Sequence, residues 1–326
     1  MAEPPAPYLA PDMRRADAVI DALRRGRAAN LSASCRRGGA DVITPPGRLL
    51  ATGDLHDNPV NFRRVLAHAG LPFDDTPAAA DPAHITLHEV IHPDRLVNGM
   101  DFSYRSLARV AALKAAFPER VHALLANHEL AQMTGSGIIK DDVNVVEAFD
   151  AGLDHMFGDD APAVRVAIGA FVRSMPLALR VKSPNGGPDV LAAHGLPAPI
   201  MADRFDPAVL EREPSDLDFE PRKGSAHLMV WGRGWTAEWA DHLATRWNVG
   251  VFILGHEKAE EGCRVVCPRI VVVNSDHDRA TLLDIDLAVP PATAADAATR
   301  ARALGALDEH RHASARGRAS AGPSGW

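Results

Sequence analysis

Five short apolar runs in this chain end on residues that bind metals or move protons. Leu49-Leu50-Ala51-Thr52-Gly53 leads into Asp54-Leu55-His56, Ile85-Thr86-Leu87 into His88-Glu89, and Leu124-Leu125-Ala126 into Asn127-His128-Glu129. Val190-Leu191-Ala192-Ala193 leads into His194, and Val251-Phe252-Ile253-Leu254-Gly255 into His256. A carboxylate and an imidazole two residues apart can hold a hard or borderline divalent cation, one through oxygen and the other through nitrogen. A single such end is most simply a turn and helix cap. Five in one chain offer the oxygen and nitrogen ligands that two divalent cations need.

Strand C-terminal ends are where α/β sheets place their ligands, because there the chain turns from buried strand to accessible loop. From Arg48 onward strand and helix alternate. Strands are expected at 49–51, 85–87 and 121–125, and helices at 60–69 and 104–117, which predicts a mainly parallel sheet covered by helices. Residues 141–175 read as a helical stretch broken near Gly158 and Asp159. Strands at 177–181 and 190–193 flank Pro184-Asn185-Gly186-Gly187-Pro188, a hairpin signal. Residues 203–224 read as a long acidic surface loop, and the strands at 251–254, 264–266, 270–274 and 281–285 as an antiparallel set. An amphipathic helix is expected over 12–28, with Asp12 as its cap and Met13, Ala16, Ile20 and Leu23 on one face, followed by a polar connection over 29–47. Beyond Pro290, residues 294–310 suit an isolated helix and 313–326 a disordered tail. The domain division is then an N-terminal arm and connection at 1–47, a main domain at 48–289 and a low-complexity tail at 290–326.

Composition narrows the function. The chain has 326 residues, is 46% hydrophobic and carries a formal net charge of −7, enough to bury one sizeable α/β core. The acidic balance disfavours nucleic acid or an anionic membrane as partner. No apolar run approaches spanning length, and the N-terminus lacks the basic-then-apolar pattern of a secretory signal, so a soluble cytoplasmic protein is expected. Cys35, Cys263 and Cys267 are too few and too odd in number for a disulfide framework and read as structural thiols.

The order Gly53-Asp54-x-His56, acidic strand end at Glu89, Asn127-His128-Glu129, His194-Gly195 and Gly255-His256 resembles the calcineurin-like metallophosphoesterase superfamily. The branch it looks most like contains the Ser/Thr phosphoprotein phosphatases and diadenosine tetraphosphatases. The match spans about residues 48–286. The resemblance implies a two-sheet β-sandwich flanked by helices and a centre of two divalent cations, Mn²⁺ foremost, with Fe or Zn²⁺ also suited. By resemblance Asp54 and His56 would bind the first cation and Glu89 would bridge. Asn127, His194 and His256 would bind the second, and His128 would be the general acid. Such a centre attacks phosphorus directly and in line, through a hydroxide bridging the cations. Arg233, between two glycines after a strand-like 228–231, and Arg95 are the candidates for gripping phosphoryl oxygens.

The sequence departs from the family pattern Gly-Asp-x-x-Asp-Arg-Gly at His88-Glu89-Val90-Ile91-His92-Pro93-Asp94. Glu89 keeps the charge with one more methylene. His92 stands where an Asp would pair with the acid imidazole, and Pro93 where an arginine would be. His92 is expected to contact metal or phosphate itself, and Asp94 with Arg95 to supply the lost groups. Ala126 replaces a family glycine, and Asp57 replaces the glycine after His56, which would add a negative charge near the phosphate. The expected function is metal-dependent hydrolysis of a phosphoester on a small molecule or phosphoprotein. The alternatives are a phospho-ligand binder without turnover, and a nucleotide or dinucleoside polyphosphate hydrolase.

Overall fold

The computed structural model describes residues 11–73 and 76–306. Its strands are β1 (Arg36–Arg37), β2 (Ala40–Ile43), β3 (Arg48–Thr52), β4 (His84–Leu87), β5 (Val121–Ala123), β6 (Ile139–Lys140) and β7 (Val143–Asn144). They continue as β8 (Ala178–Val181), β9 (Asp189–Ala193), β10 (Val249–Leu254), β11 (Cys263–Cys267), β12 (Ile270–Val273), β13 (Thr281–Asp286) and β14 (Ala301–Ala303). A seven-stranded sheet runs β1-β2-β8-β9-β10-β12-β11, a five-stranded sheet runs β14-β13-β3-β4-β5, and β6-β7 form a separate hairpin.

Period-two alternation along the strands explains why the sheets stack. Leu49, Ala51, Leu283 and Ile285 of the smaller sheet pack with Val251, Ile253, Val271 and Val273 of the larger in one aliphatic layer. Their neighbours Leu50, Leu282, Phe252, Leu254 and Val272 point the other way, into the core under the helices. The central strands β3, β9, β10 and β12 are apolar on both faces because each face is covered.

The covering helices are α1 (Ala16–Ser32), α2 (Pro59–Ala69), α3 (Tyr104–Ala116), α4 (Asn127–Thr134), α5 (Val145–Phe157), α6 (Ala161–Arg173), α7 (Ser225–Trp231), α8 (Ala237–Trp247) and α9 (Ala294–Ala298). Among the described residues no helix is long and apolar enough to cross a membrane.

Several local expectations are corrected. The first helix starts at Ala16 with Arg15 as its N-cap and buries Val19, Ala22, Leu23, Gly26 and Asn30. Asp12 instead accepts from the backbone N–H of Arg14 in the turn before it. Residues 29–47 are no mere connection, since β2 sits inside the larger sheet in parallel with β8. The last third is mixed: β10 runs parallel to both β9 and β12, only β11 is antiparallel to β12, and β13 belongs to the other sheet. Residues 228–231 are helical, part of α7. Segment 203–224 holds the end of one short 3-10 helix and two more, and buries Val209, Leu210 and Phe219, so it is packed rather than a free loop. After the five-residue α9 the chain returns as β14, paired with β13. The tail expected at 313–326 lies outside the described residues.

At the β2 end of the sandwich a charged cluster ties the sheets together. Asp41 of β2 is fully buried and meets Arg36 Nε at 3.0 Å, His122 Nδ1 of β5 at 2.7 Å and Lys114 Nζ of α3 at 3.6 Å. Burial raises the Asp41 pKa, but His122, Lys114 and Arg36 outweigh it and hold the carboxyl well below the usual range. Its folded pKa therefore lies below its unfolded one, so this stabilisation is complete above the ordinary carboxylate pKa and is lost as pH falls. Asp41→Asn would leave buried cations uncompensated and should cost about 3–5 kcal/mol. Urea unfolding at neutral pH measures this, and a loss below one kcal/mol would make the cluster energetically idle.

Candidate metal centre

The centre forms where the two sheets meet at their strand ends. Past β3, Asp54 pairs through its backbone with His88 on one side and Asn274, just past β12, on the other. Gly53 permits this approach, since a Cβ there would stand 1.8 Å from the Val273 carbonyl oxygen. The loops are stitched to one another: His56 N–H donates to the Glu89 carbonyl at 2.7 Å, Asp57 N–H to that of Val90 at 3.1 Å and Gly255 N–H to that of His194 at 3.1 Å. Glu129 of α4 accepts from Val90 N–H at 2.7 Å and so fixes the turn after Glu89. His56, Asp57, Glu89, His92 and His256 all have φ between 41° and 66°, the left-handed region. Non-glycine residues keep such backbone only where their surroundings enforce it.

Asp54, His56, Glu89, Asn127, His128, His194 and His256 all fall in one contiguous cluster. Glu89 is its hub: Oε1 lies 2.9 Å from His56 Nε2 and 3.7 Å from His128 Nε2, and Oε2 lies 2.9 Å from His194 Nε2. His194 Nε2 also faces Asn127 Oδ1 at 2.6 Å and His256 Nδ1 at 3.0 Å. Asp54 Oδ1 is 3.3 Å from His194 Nδ1, and its carboxylate accepts from His256 N–H. Asn127 opens α4, so a helix start presents its amide to the cluster.

Three overlapping sets have ligand atoms within 4.8 Å of one another: His56, Glu89 and His128; Glu89, His194 and His256; and Asp54, His88 and His194. Their electrostatics suit divalent cations. Burial lowers the pKa of His194, but Glu89 and Asp54 outweigh it and push it up to about 10. His56 is likewise pushed up to about 9 by Glu89 against burial. Burial raises Glu89, yet His128, His194 and His56 hold it well below the usual range. Two carboxylates thus draw protons onto buried imidazoles. The chemistry of the donor set and two buried atoms without hydrogen bonds, Glu89 Oε2 and His256 Nε2, show that the residues fit metal ions.

His92 reaches these sets only through His128, and no metal group includes it among the described residues. It is fully buried, its Nε2–H donates to Gln132 Oε1 at 3.1 Å, and its Nδ1 faces His128 Nδ1 at 2.9 Å. Gln132 in turn donates to Asp150 at 3.1 Å. Because the glutamine oxygen only accepts, the His92 proton sits on Nε2 and its bare Nδ1 accepts from His128. His128 therefore presents Nε2 to the cluster, with neutral His92 and Gln132 standing between it and the Asp150 carboxylate.

Other expectations are corrected or extended. The Asp57 side chain turns away to accept from the Ser106 hydroxyl of α3, so its charge does not face the cluster. Asp94 pairs with Lys140 of the β6–β7 hairpin. Arg95 is exposed, and no hydrogen bond or ion pair joins it to the cluster among the described residues. Arg233 does reach the centre, donating to the His256 carbonyl at 2.8 Å. Its loop is held by Trp235 and Trp239, whose indole N–H groups donate to the Leu196 and Pro197 carbonyls just after His194. Sequence reading passed over Lys140, Gln132 and His88. Lys140 stands just before the stretch at 141–175 that reads as helical, Gln132 is an ordinary mid-helix residue, and His88 is hidden beside Glu89.

No protein-family model matches the sequence, and no curated protein matches it. Solved structures do. A protein serine/threonine phosphatase from Saccharomyces cerevisiae, described as similar to human phosphatase PP5, is 13% identical and covers 83% of this chain and 83% of its own, with a TM-score of 0.58. A cold-active protein-tyrosine phosphatase of a psychrophilic Shewanella species is 15% identical over 79% of this chain and 80% of its own, with a TM-score of 0.51. These likenesses are of fold: the chain has the helix-flanked two-sheet sandwich that its metallophosphoesterase resemblance implied.

Proposed function

We propose that the chain is a metal-dependent phosphoester hydrolase whose centre holds two divalent cations. The observation that carries this reading is the convergence of Asp54, His56, Glu89, Asn127, His194 and His256 on one buried cluster, with Glu89 shared between its two halves. Asp54, His56 and Glu89 would hold one cation, and Glu89, Asn127, His194 and His256 the other. Bound cations supply Lewis acidity toward water and phosphoryl oxygens, which suits direct in-line hydrolysis.

The chain's own groups do the rest. His56 donates Nδ1–H to the Ile91 carbonyl at 3.3 Å, leaving Nε2 for the centre. His128 Nε2 is placed to pass a proton to a leaving alkoxide. Arg233 supplies a cation beside the centre, in place of the arginine that Pro93 excludes, while Lys140 is balanced by Asp94. Mn²⁺ is the first cation to test. Purified protein should contain divalent metal and hydrolyse p-nitrophenyl phosphate; no metal above background would end the proposal. A second reading, a phospho-ligand binder with little turnover, is favoured by His128 Nδ1 facing an imidazole, His92, rather than a carboxylate. Bound metal with no hydrolysis of any phosphoester would select it.

Metal and protons compete for the same nitrogens. His56 and His194 are raised to about 9 and about 10, so a cation must displace their protons at neutral pH. Apparent affinity should rise steadily from mildly acid pH through neutrality toward those values. A flat affinity measured calorimetrically across that range would remove both histidines from the ligand set.

A further inference from the structure

One buried group in the centre has no role in the mechanism above. His88 is 3% exposed, and its Nε2 is 2.9 Å from the Thr52 carbonyl oxygen. A carbonyl only accepts, so Nε2 carries a proton and a neutral His88 has a bare Nδ1. That nitrogen lies 3.1 Å from His194 Nδ1 and 3.3 Å from Asp54 Oδ1. Two ring nitrogens facing at this distance share one proton. Since His88 Nδ1 is bare and the Asp54 carboxylate only accepts, the proton belongs to His194.

The consequence falls on the other side of the His194 ring. With Nδ1–H held by His88, Nε2 is the nitrogen that yields its proton to a cation, and it faces Asn127 Oδ1, Glu89 Oε2 and His256 Nδ1 within 3.0 Å. With the opposite tautomer, an N–H would point at the place a cation must occupy. Space for the His88 ring exists because residue 255 is glycine. A Cβ there would stand 2.5 Å from His88 Cε1 and 2.3 Å from Asp54 Oδ1.

We propose that His88 is a positioning residue: it accepts the Nδ1 proton of His194 and so fixes the ring and tautomer that present His194 Nε2 to a divalent cation. The role rests on the metal-centre reading above, although the hydrogen bond does not. A histidine ligand whose second nitrogen is held by a buried acceptor binds metal more tightly than one left free.

Two measurements test it. In histidine-selective ¹⁵N NMR, metal-free and Zn²⁺-loaded protein should both show scalar coupling across an N–H···N bond between rings 88 and 194, with the proton bonded to His194. A missing coupling, or a proton bonded to His88 Nδ1, overturns the proposal. In calorimetric Zn²⁺ titration of metal-free protein, H88L should bind about ten-fold or more weakly, while H88N, whose amide oxygen can accept near the position of Nδ1, should recover most of that loss. Equal affinity of H88L and wild type overturns the proposal. So does H88N binding as weakly as H88L with an unchanged unfolding midpoint, which would make His88 itself a ligand. If wild type binds no divalent cation, the metal reading fails and takes the role with it, while the metal-free coupling still reports whether the bond exists.

Discussion

With Glu89 replaced by glutamine, p-nitrophenyl phosphate hydrolysis should fall by roughly a thousand-fold, the scale of several kcal/mol of charge stabilisation. Bound metal should fall with it. Among the described residues, Glu89 alone lies within 3.7 Å of ring nitrogens on His56, His128 and His194 at once, and its Oε2 makes no hydrogen bond. The glutamine is nearly the same size, so backbone and packing should survive, but it removes the carboxylate charge shared between the two proposed cation positions. It also turns an N–H₂ toward nitrogens that would have to ligate. Kinetics and metal analysis on the same preparation decide the matter. Full metal content with activity within a few-fold of wild type would show that Glu89 is not shared between cations.

The second large effect concerns the proton. His128→Asn should lower turnover by about 10²–10⁴-fold while metal content stays near wild type, as expected for loss of a general acid. Equal loss of both would make His128 a ligand. The relay behind His128 adds a second arm. Burial pushes His128 down to about 4, with Glu89 opposing and the cationic His56, Lys140 and His194 adding to the fall. Its immediate partner His92 is itself pushed down to about 3 by burial and by His128, so it gives orientation without charge. An acid that must be protonated to act is then scarce at neutral pH, and turnover should climb as pH falls until metal binding fails. His92→Asp places an anion against His128 Nδ1 and should move that acid limb toward neutrality. An unshifted kcat profile in His92→Asp would mean that His128 does not supply the proton.

The centre was legible because each of its loops follows an apolar strand, and strand ends converge in a sandwich whatever their order in the chain. Asp54, His56, Asn127, His194 and His256 each carried that signature. The fold was legible for the same reason, through continuous apolar runs such as Leu49–Ala51 and Val251–Leu254, which suit strands covered on both faces. What escaped reading depends on partners distant in sequence. Whether Asp57 faces a phosphate or Ser106 is settled by α3, 49 positions away. Residues 228–231, inside α7, read as strand-like because the helix's apolar residues are covered on most sides, which erases helical periodicity. The strand β2 passed for a connection because Asp41, a buried charge, breaks its apolar run. His88 and Gly255 make sense only as a pair, 167 positions apart, one filling the space the other leaves.

The left-handed backbone at five positions around the centre has a consequence for how substitutions there would rank. Each non-glycine residue in that region costs of order 1–2 kcal/mol relative to glycine. In a saturation library sorted by abundance of folded protein, glycine should therefore score well at 56, 57, 89, 92 and 256. Sorted by survival of a phosphatase reaction, glycine should fail at four of these and pass only at 57, where the side chain faces away from the centre. The two rankings would separate backbone from chemistry, position by position, without further structural work.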